Sequence, residues 1–305
     1  MGLRKTATCG LLTLSALALV ACQKPAADVK EGSGEATAAS ALDTGKLRAV
    51  VIGESLPMVD KTGETYDGLS FVVLDAIKDQ LATVPEAKAE SFSIEPVAVS
   101  TAREGLDKIQ SGAADIACGV AFSWERQQKL NFTIPFASGG VRLLAPKGND
   151  GTPASLKGQT IGVVKNSVAA DVLAGAVDDA QFQFFETPAS ALAALKGGDV
   201  KILGGDSLWL KANRAETAPD DALVPDRAYS RCGIGCVVGE STPHLLNISN
   251  LAIGRLLMAY VDNDPAVRTE INRWVGDGSA IGLSDDQIST FFRMVLATTA
   301  ELSNQ

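Results

Sequence analysis

Few residues in this chain could attack, ligate or shuttle a proton. There is one histidine, His244, and there are five cysteines: Cys9, Cys22, Cys118, Cys232 and Cys236. Their spacing suggests no zinc site. The sequence has no Ser-His-Asp or Cys-His arrangement, no phosphate-cradling glycine loop and no metal cluster, so no cofactor is implied. His244 follows Thr242-Pro243 at a helix start and reads as a surface residue. Arg126 could pair with Glu125 or Asp115 on the surface, which alone would be a solvated ion pair. Asp206 precedes a helical pattern, which alone would make it a cap. Cys232 and Cys236 lie on one expected strand, about 13 Å apart when extended, too far to pair unless Gly233 and Gly235 bend the chain. Because an odd number cannot pair completely, Cys118, Cys232 and Cys236 are expected as three buried thiols.

The N-terminus carries a different chemistry. Arg4 and Lys5 precede an apolar run, Leu11 to Ala21, that ends in small residues. Charge, apolar stretch and small residues in that order make a secretory signal over 1–21. The run is too short for a stable bilayer span. Leu19-Val20-Ala21-Cys22 resembles the lipobox of bacterial lipoproteins, which implies that the Cys22 thiol carries lipid and tethers the protein to a membrane, at the periplasm or cell surface. Residues 22–45, rich in Ala, Gly, Ser and charge, cannot bury a core and read as a flexible tether. Removing the leader leaves 284 of 305 residues, enough for one large domain or two small ones. The formal charge of −9 becomes −11 once Arg4 and Lys5 leave. No basic patch remains to track phosphates, which argues against nucleic acid. The acidic excess reads as solubility.

The body alternates strands and helices. Leu47–Ile52, Phe92–Val97 and Ile116–Gly119 read as strands. Val73, Leu74, Ile77 and Leu81 recur at helical spacing within 70–82. Thr101 and Glu104 suit a capping box. The rhythm returns with strands at 160–164, 183–185 and 201–203 and helices at 167–174, at 188–196 and from Asp206. Thr187-Pro188 and Thr242-Pro243 each put a cap residue before a first-turn proline. From Pro243 onward the pattern is helical, the last helix opened by a Ser284–Gln287 capping box. Such alternation predicts α/β layers with mainly parallel sheets.

Three motifs follow in order: Gly112-Ala113-Ala114-Asp115, then Ser123-Trp124-Glu125-Arg126, then Asn131-Phe132-Thr133-Ile134-Pro135-Phe136. Together they resemble the signature of family-3 bacterial extracellular solute-binding proteins, the polar amino acid receptors of ABC importers. Tyr66-Asp67-Gly68-Leu69, the stretch Leu156 to Val163, and Ala191 to Gly198 through Asp206 match in register. The resemblance covers about 46–275. It implies a two-lobed periplasmic-binding-protein type II fold, each lobe a mainly parallel sheet flanked by helices. Lobe 1 would hold 46–137 and 231–305, and lobe 2 would hold 138–230. Gly119 through Arg126 and Gly204 through Leu210 resemble more closely an orphan lipoprotein subgroup associated with radical-SAM-modified glycine-rich peptides.

The family chemistry pairs a guanidinium with a ligand carboxylate, and an aspartate of the other lobe with its ammonium. Carried over by position, Arg126 is the clamp and Asp206 the ammonium acceptor. Ser123, Ala121 and Gly119 occupy ligand-facing positions before the clamp. Asn166, Ser167 and Val168 open a helix whose free N–H groups suit an anion. Met58 stands where an aromatic lid is frequent, and Glu54 near the ligand-facing end of the first strand. There are departures. The stretch from Asp115 to Arg126 is one residue shorter than usual. Ala121 and Val168 replace hydroxyl residues, and Ser70 stands where an acid is usual. Two carboxylate hydrogen bonds are thereby lost, each worth about 0.5–1.5 kcal/mol. The expected function is non-enzymatic capture of a small carboxylate-bearing ligand, most simply an amino acid, by closing lobes, with an ABC permease as partner. The alternatives are an orphan binding protein for a secreted modified peptide and a dehydratase-like enzyme with a carboxyl general acid.

Overall fold

The computed structural model describes residues 41–53 and 55–302, with side chains through Thr299. The expected leader, Cys22, most of the tether and Glu54 lie outside the described residues. In chain order the elements are β1 (Lys46–Ile52), β2 (Asp60–Thr62), β3 (Thr65–Asp67), α1 (Leu69–Leu81), β4 (Ser93–Val99), α2 (Ala102–Gln110), β5 (Ile116–Ala121), α3 (Trp124–Gln127), β6 (Leu130–Phe132) and β7 (Ala137–Ala145). There follow α4 (Pro153–Leu156), β8 (Thr160–Val164), α5 (Val168–Ala176), β9 (Gln181–Phe185), α6 (Pro188–Gly197), β10 (Ile202–Asp206), α7 (Ser207–Thr217), β11 (Ala222–Val224) and β12 (Arg231–Gly239). Three helices end the chain: α8 (Pro243–Val261), α9 (Pro265–Val275) and α10 (Asp285–Leu302).

One continuous sheet runs β4-β1-β5-β12-β7-β10-β8-β9, with β6 on β12 and β11 on β7. Parallel pairing holds at its two ends, β4-β1-β5 and β10-β8-β9. The middle is antiparallel, and there two long strands cross. β12 uses Arg231–Ile234 against β7 and Ile234–Gly239 against β5 and β6. β7 uses Ala137–Gly140 against β12 and Val141–Ala145 against β10 and β11. Each crossing strand therefore belongs to both ends of the sheet.

Strand side chains alternate between faces, so each end of the sheet has an apolar cluster on either side. At one end Leu47, Leu74 and Ile77 share a core with Ile253, Leu257, Tyr260 and Phe292, which brings the helical tail back onto α1. Val50, Val120 and Val237 form the opposite cluster. At the other end Leu143, Ile161 and Leu173 pack on one side, and Leu144, Leu195 and Leu203 on the other.

The helix caps follow the sequence closely. Thr187 and Ser190 form a reciprocal capping box, as do Ser284 and Gln287. Thr101 Oγ1 accepts from Glu104 N, but the Glu104 carboxylate reaches Ser100 N instead of Thr101. Thr242 departs further: its hydroxyl donates to Gly239 O at 2.8 Å and makes no cap bond. The cysteines also differ from expectation. Cys118 and Cys236 face each other across β5 and β12 and form a disulfide. Cys232 is free and partly exposed. Strand pairing, invisible in local spacing, brings together residues 118 positions apart.

Candidate functional site

A cavity of about 230 Å³ lies beside the strand crossing, lined from both ends of the sheet. Asp206 ends β10 and caps α7. Its Oδ1 accepts from Leu208 N at 2.9 Å and Trp209 N at 3.4 Å. Burial pushes its pKa above the usual aspartate range, against the pull of those backbone N–H groups. Room for Oδ2 comes from Gly139 on β7, where a Cβ would fall on that oxygen.

Arg126 enters from α3. Its Nη1 donates to Ala121 O at 2.8 Å and its Nη2 to Asn166 O at 3.4 Å. Among the described residues no carboxylate lies within ion-pair distance of it. Asp115, one suspected partner, is buried against Arg48 at 2.6 Å. Burial lowers the pKa of Arg126, opposed by the fields of Asp171, Cys232 and Glu125. A guanidinium remains charged nonetheless. Cys232, on β12 opposite Gly139, feels both charged groups. Its thiol is pushed up to about 11, first by burial and then by Asp206, with Arg126 pulling it down.

Of the positions singled out in the sequence, Arg126, Asp206, Gly119, Ala121, Ser167, Val168 and Met58 line this cavity. Met58 is buried, and Gly119 at φ 85° lets it approach, because a Cβ there would meet Ser70 Oγ and Met58 Cβ. Ser167 caps α5 by accepting from Ala170 N, so the free N–H groups of that helix start beside Val168. Ser123 and Asn166 do not line it. Ser123 caps α3 through Arg126 N. Asn166, at φ 58°, lends its carbonyl to Arg126 and borders a shallow polar depression with Lys165 and Glu186. Glu54 lies outside the described residues. Trp124 is exposed against Phe122, away from the lining.

Sequence reasoning missed Gly139, the cleft position of Cys232, and Trp209, which lines the cavity with an unpartnered indole N–H. A signal existed for Gly139. Two adjacent glycines inside a strand mark a close approach. A guanidinium and a carboxylate in one small cavity suit a zwitterion. Beside them are a helix N-terminus and mostly apolar walls.

Known proteins place this geometry. The family model "Bacterial extracellular solute-binding proteins, family 3" matches residues 47–287. The virulence sensor protein BvgS of Bordetella pertussis is 29% identical over 237 residues, 76% of this chain. The chain spans only 18% of that sensor's length. The L-cystine-binding protein TcyJ of Escherichia coli is 25% identical over 175 residues, covering 56% of this chain and 64% of TcyJ. The crystal structure of AncCDT-1, an ancestral amino acid-binding protein and a precursor of cyclohexadienyl dehydratase, superposes with a TM-score of 0.63 at 20% identity. That match covers 76% of this chain and 96% of AncCDT-1. The fold is thus the two-lobed type II periplasmic-binding-protein architecture, and the chain belongs to the family-3 bacterial extracellular solute-binding proteins.

Proposed function

We propose that this solute-binding protein captures a free amino acid between two closing lobes, outside the cytoplasm and tethered by lipid on Cys22. Lobe 1 comprises 46–137 and 231–305, and lobe 2 comprises 138–230. The observation that carries the reading is Arg126, a partly buried cation without a carboxylate partner among the described residues, sharing one cavity with Asp206. Arg126 and the N-terminus of α5 take the carboxylate, with Gly119, Ala121, Ser167 and Val168 shaping that corner. Asp206 takes the ammonium, and Met58 covers the ligand. Ser123 and Asn166 act through Arg126, one by capping its helix and the other by holding Nη2. The cavity, at about 230 Å³, is below the 300–1,000 Å³ of drug-sized sites. That size suits an amino acid better than a peptide chain. An ABC permease is the natural recipient.

The test is calorimetry across the standard amino acids, followed by Arg126→Ala. Loss of two charge-assisted hydrogen bonds predicts about 3–6 kcal/mol, at least a hundredfold, with the melting curve of the free protein preserved. Retained affinity would remove Arg126 from the site. One observation favours a second reading. The raised pKa of Asp206 suits a general acid, as a dehydratase requires. Product formed from prephenate or arogenate would establish it.

A further inference from the structure

We propose that the cleft selects an α-amino acid whose side chain is uncharged and apolar. The inference rests on the amino-acid reading above and adds the chemical class of the ligand. Among the described residues, four charged side chains line the cavity: Arg126, Asp206, Lys165 and Glu186. Lys165 and Glu186 bridge each other at 2.8 Å, and both are more than half exposed. They also border the outer polar depression, so they stand at the mouth as a neutral pair.

Arg126 and Asp206 are then the two charges left inside, and the α-carboxylate and α-ammonium of one zwitterion satisfy both. A ligand side chain meets what remains. Ile52, Leu106 and Val120 wall the cavity from lobe 1, Val164 and Val168 from lobe 2, and Met58 lies over it. The five aliphatic side chains offer no hydrogen bond, and the Met58 thioether is only a weak acceptor. The free thiol Cys232, pushed up to about 11, stays neutral and cannot balance a cation. The disulfide-bonded Cys118 carries no charge either.

A basic or acidic ligand side chain would leave water for this wall with no partner of opposite charge, a heavy penalty in a desolvated site. A carboxamide or hydroxyl would find only the indole N–H of Trp209 and the hydroxyls of Ser55 and Ser167, the last already accepting from Ala170 N, in exchange for its hydrogen bonds to water. A branched aliphatic or thioether side chain gains from burial instead. Apolar walls discriminate weakly among such side chains, with one methylene worth about 10–200-fold. The predicted profile is therefore a group of apolar amino acids bound with graded affinities, well separated from charged ones.

The experiment is isothermal titration of the full chain with L-valine, L-leucine, L-methionine, L-glutamine, L-glutamate, L-lysine, L-arginine and L-cystine at neutral pH. At least one of the three apolar amino acids should bind tenfold or more tightly than every polar or charged one. A tighter fit for lysine, arginine, glutamate, glutamine or cystine overturns the apolar selection and leaves the amino-acid reading standing. Binding of none overturns both.

Discussion

On one carboxylate Asp206 combines an observed task with a proposed one. Oδ1 caps α7, and Oδ2, beside Gly139, is the oxygen proposed to take an ammonium group. Its pKa is raised because burial penalises the charge more than the backbone N–H groups favour it. Before a ligand binds it therefore takes up a proton at a pH where an ordinary aspartate stays ionised. The folded pKa lies above the unfolded one, so keeping Asp206 ionised costs stability above the unfolded value, and that cost is relieved as pH falls through the folded pKa. Ligand binding has the opposite sign, because an ammonium needs the carboxylate. Affinity should be flat above the raised pKa, then fall about tenfold per pH unit below it, with proton release on binding in that window. Arg126 stays charged and Cys232 stays neutral there. Asp206→Asn keeps a good helix cap, so it should lower affinity and flatten this pH slope without unfolding α7. A slope that survives in Asp206→Asn would assign the titration to another group.

At the scale of elements, β7 places that carboxylate. Gly139 lies opposite Cys232 in the β7–β12 ladder, so its backbone has little freedom to retreat. Gly139→Ala puts a methyl group where Oδ2 now sits. The carboxylate must turn away, and affinity for the ligand should drop at least tenfold. Overpacking should cost about 1–3 kcal/mol of stability. Calorimetry and thermal melts on the same variant separate the two effects. Unchanged affinity would show that Oδ2 does not face the ligand. This strand also marks the limit of what the sequence reveals. Helices and their caps are local, so the Thr187-Pro188 start, the Ser284–Gln287 box and the apolar spacing of α1 are all legible. The motif around Arg126 is legible for the same reason. Pairing is non-local. Nothing near Cys118 points to Cys236, and the glycine-rich run through β7 hides a strand that belongs to both ends of the sheet. The neighbourhood of Cys232, Asp206 and Arg126 emerges only once β7 and β12 have crossed.

At the scale of the molecule, each end of the sheet has apolar clusters of its own, while β7 and β12 pass between the ends. Other links also connect the ends. Arg126 Nη2 reaches Asn166 O at 3.4 Å, Lys211 Nζ donates to Ile281 O, and Leu208 of α7 packs into the core of α1 and α8. Separately packed bodies joined by narrow crossings move relative to one another unless a large interface holds them. A ligand that touches Arg126 on one side and Asp206 on the other favours the arrangement that brings them together, by its difference in affinity for the two states. Small-angle scattering should therefore show a smaller radius of gyration at saturating ligand. At a hundred times the dissociation constant the gain is about 2.7 kcal/mol, about 5 °C in Tm for a body of this size. Arg126→Ala should lose the compaction and the Tm rise together, since one contact drives both. A normal Tm rise without compaction would mean that the cleft is already formed before the ligand arrives, with Arg126 and Asn166 holding it shut.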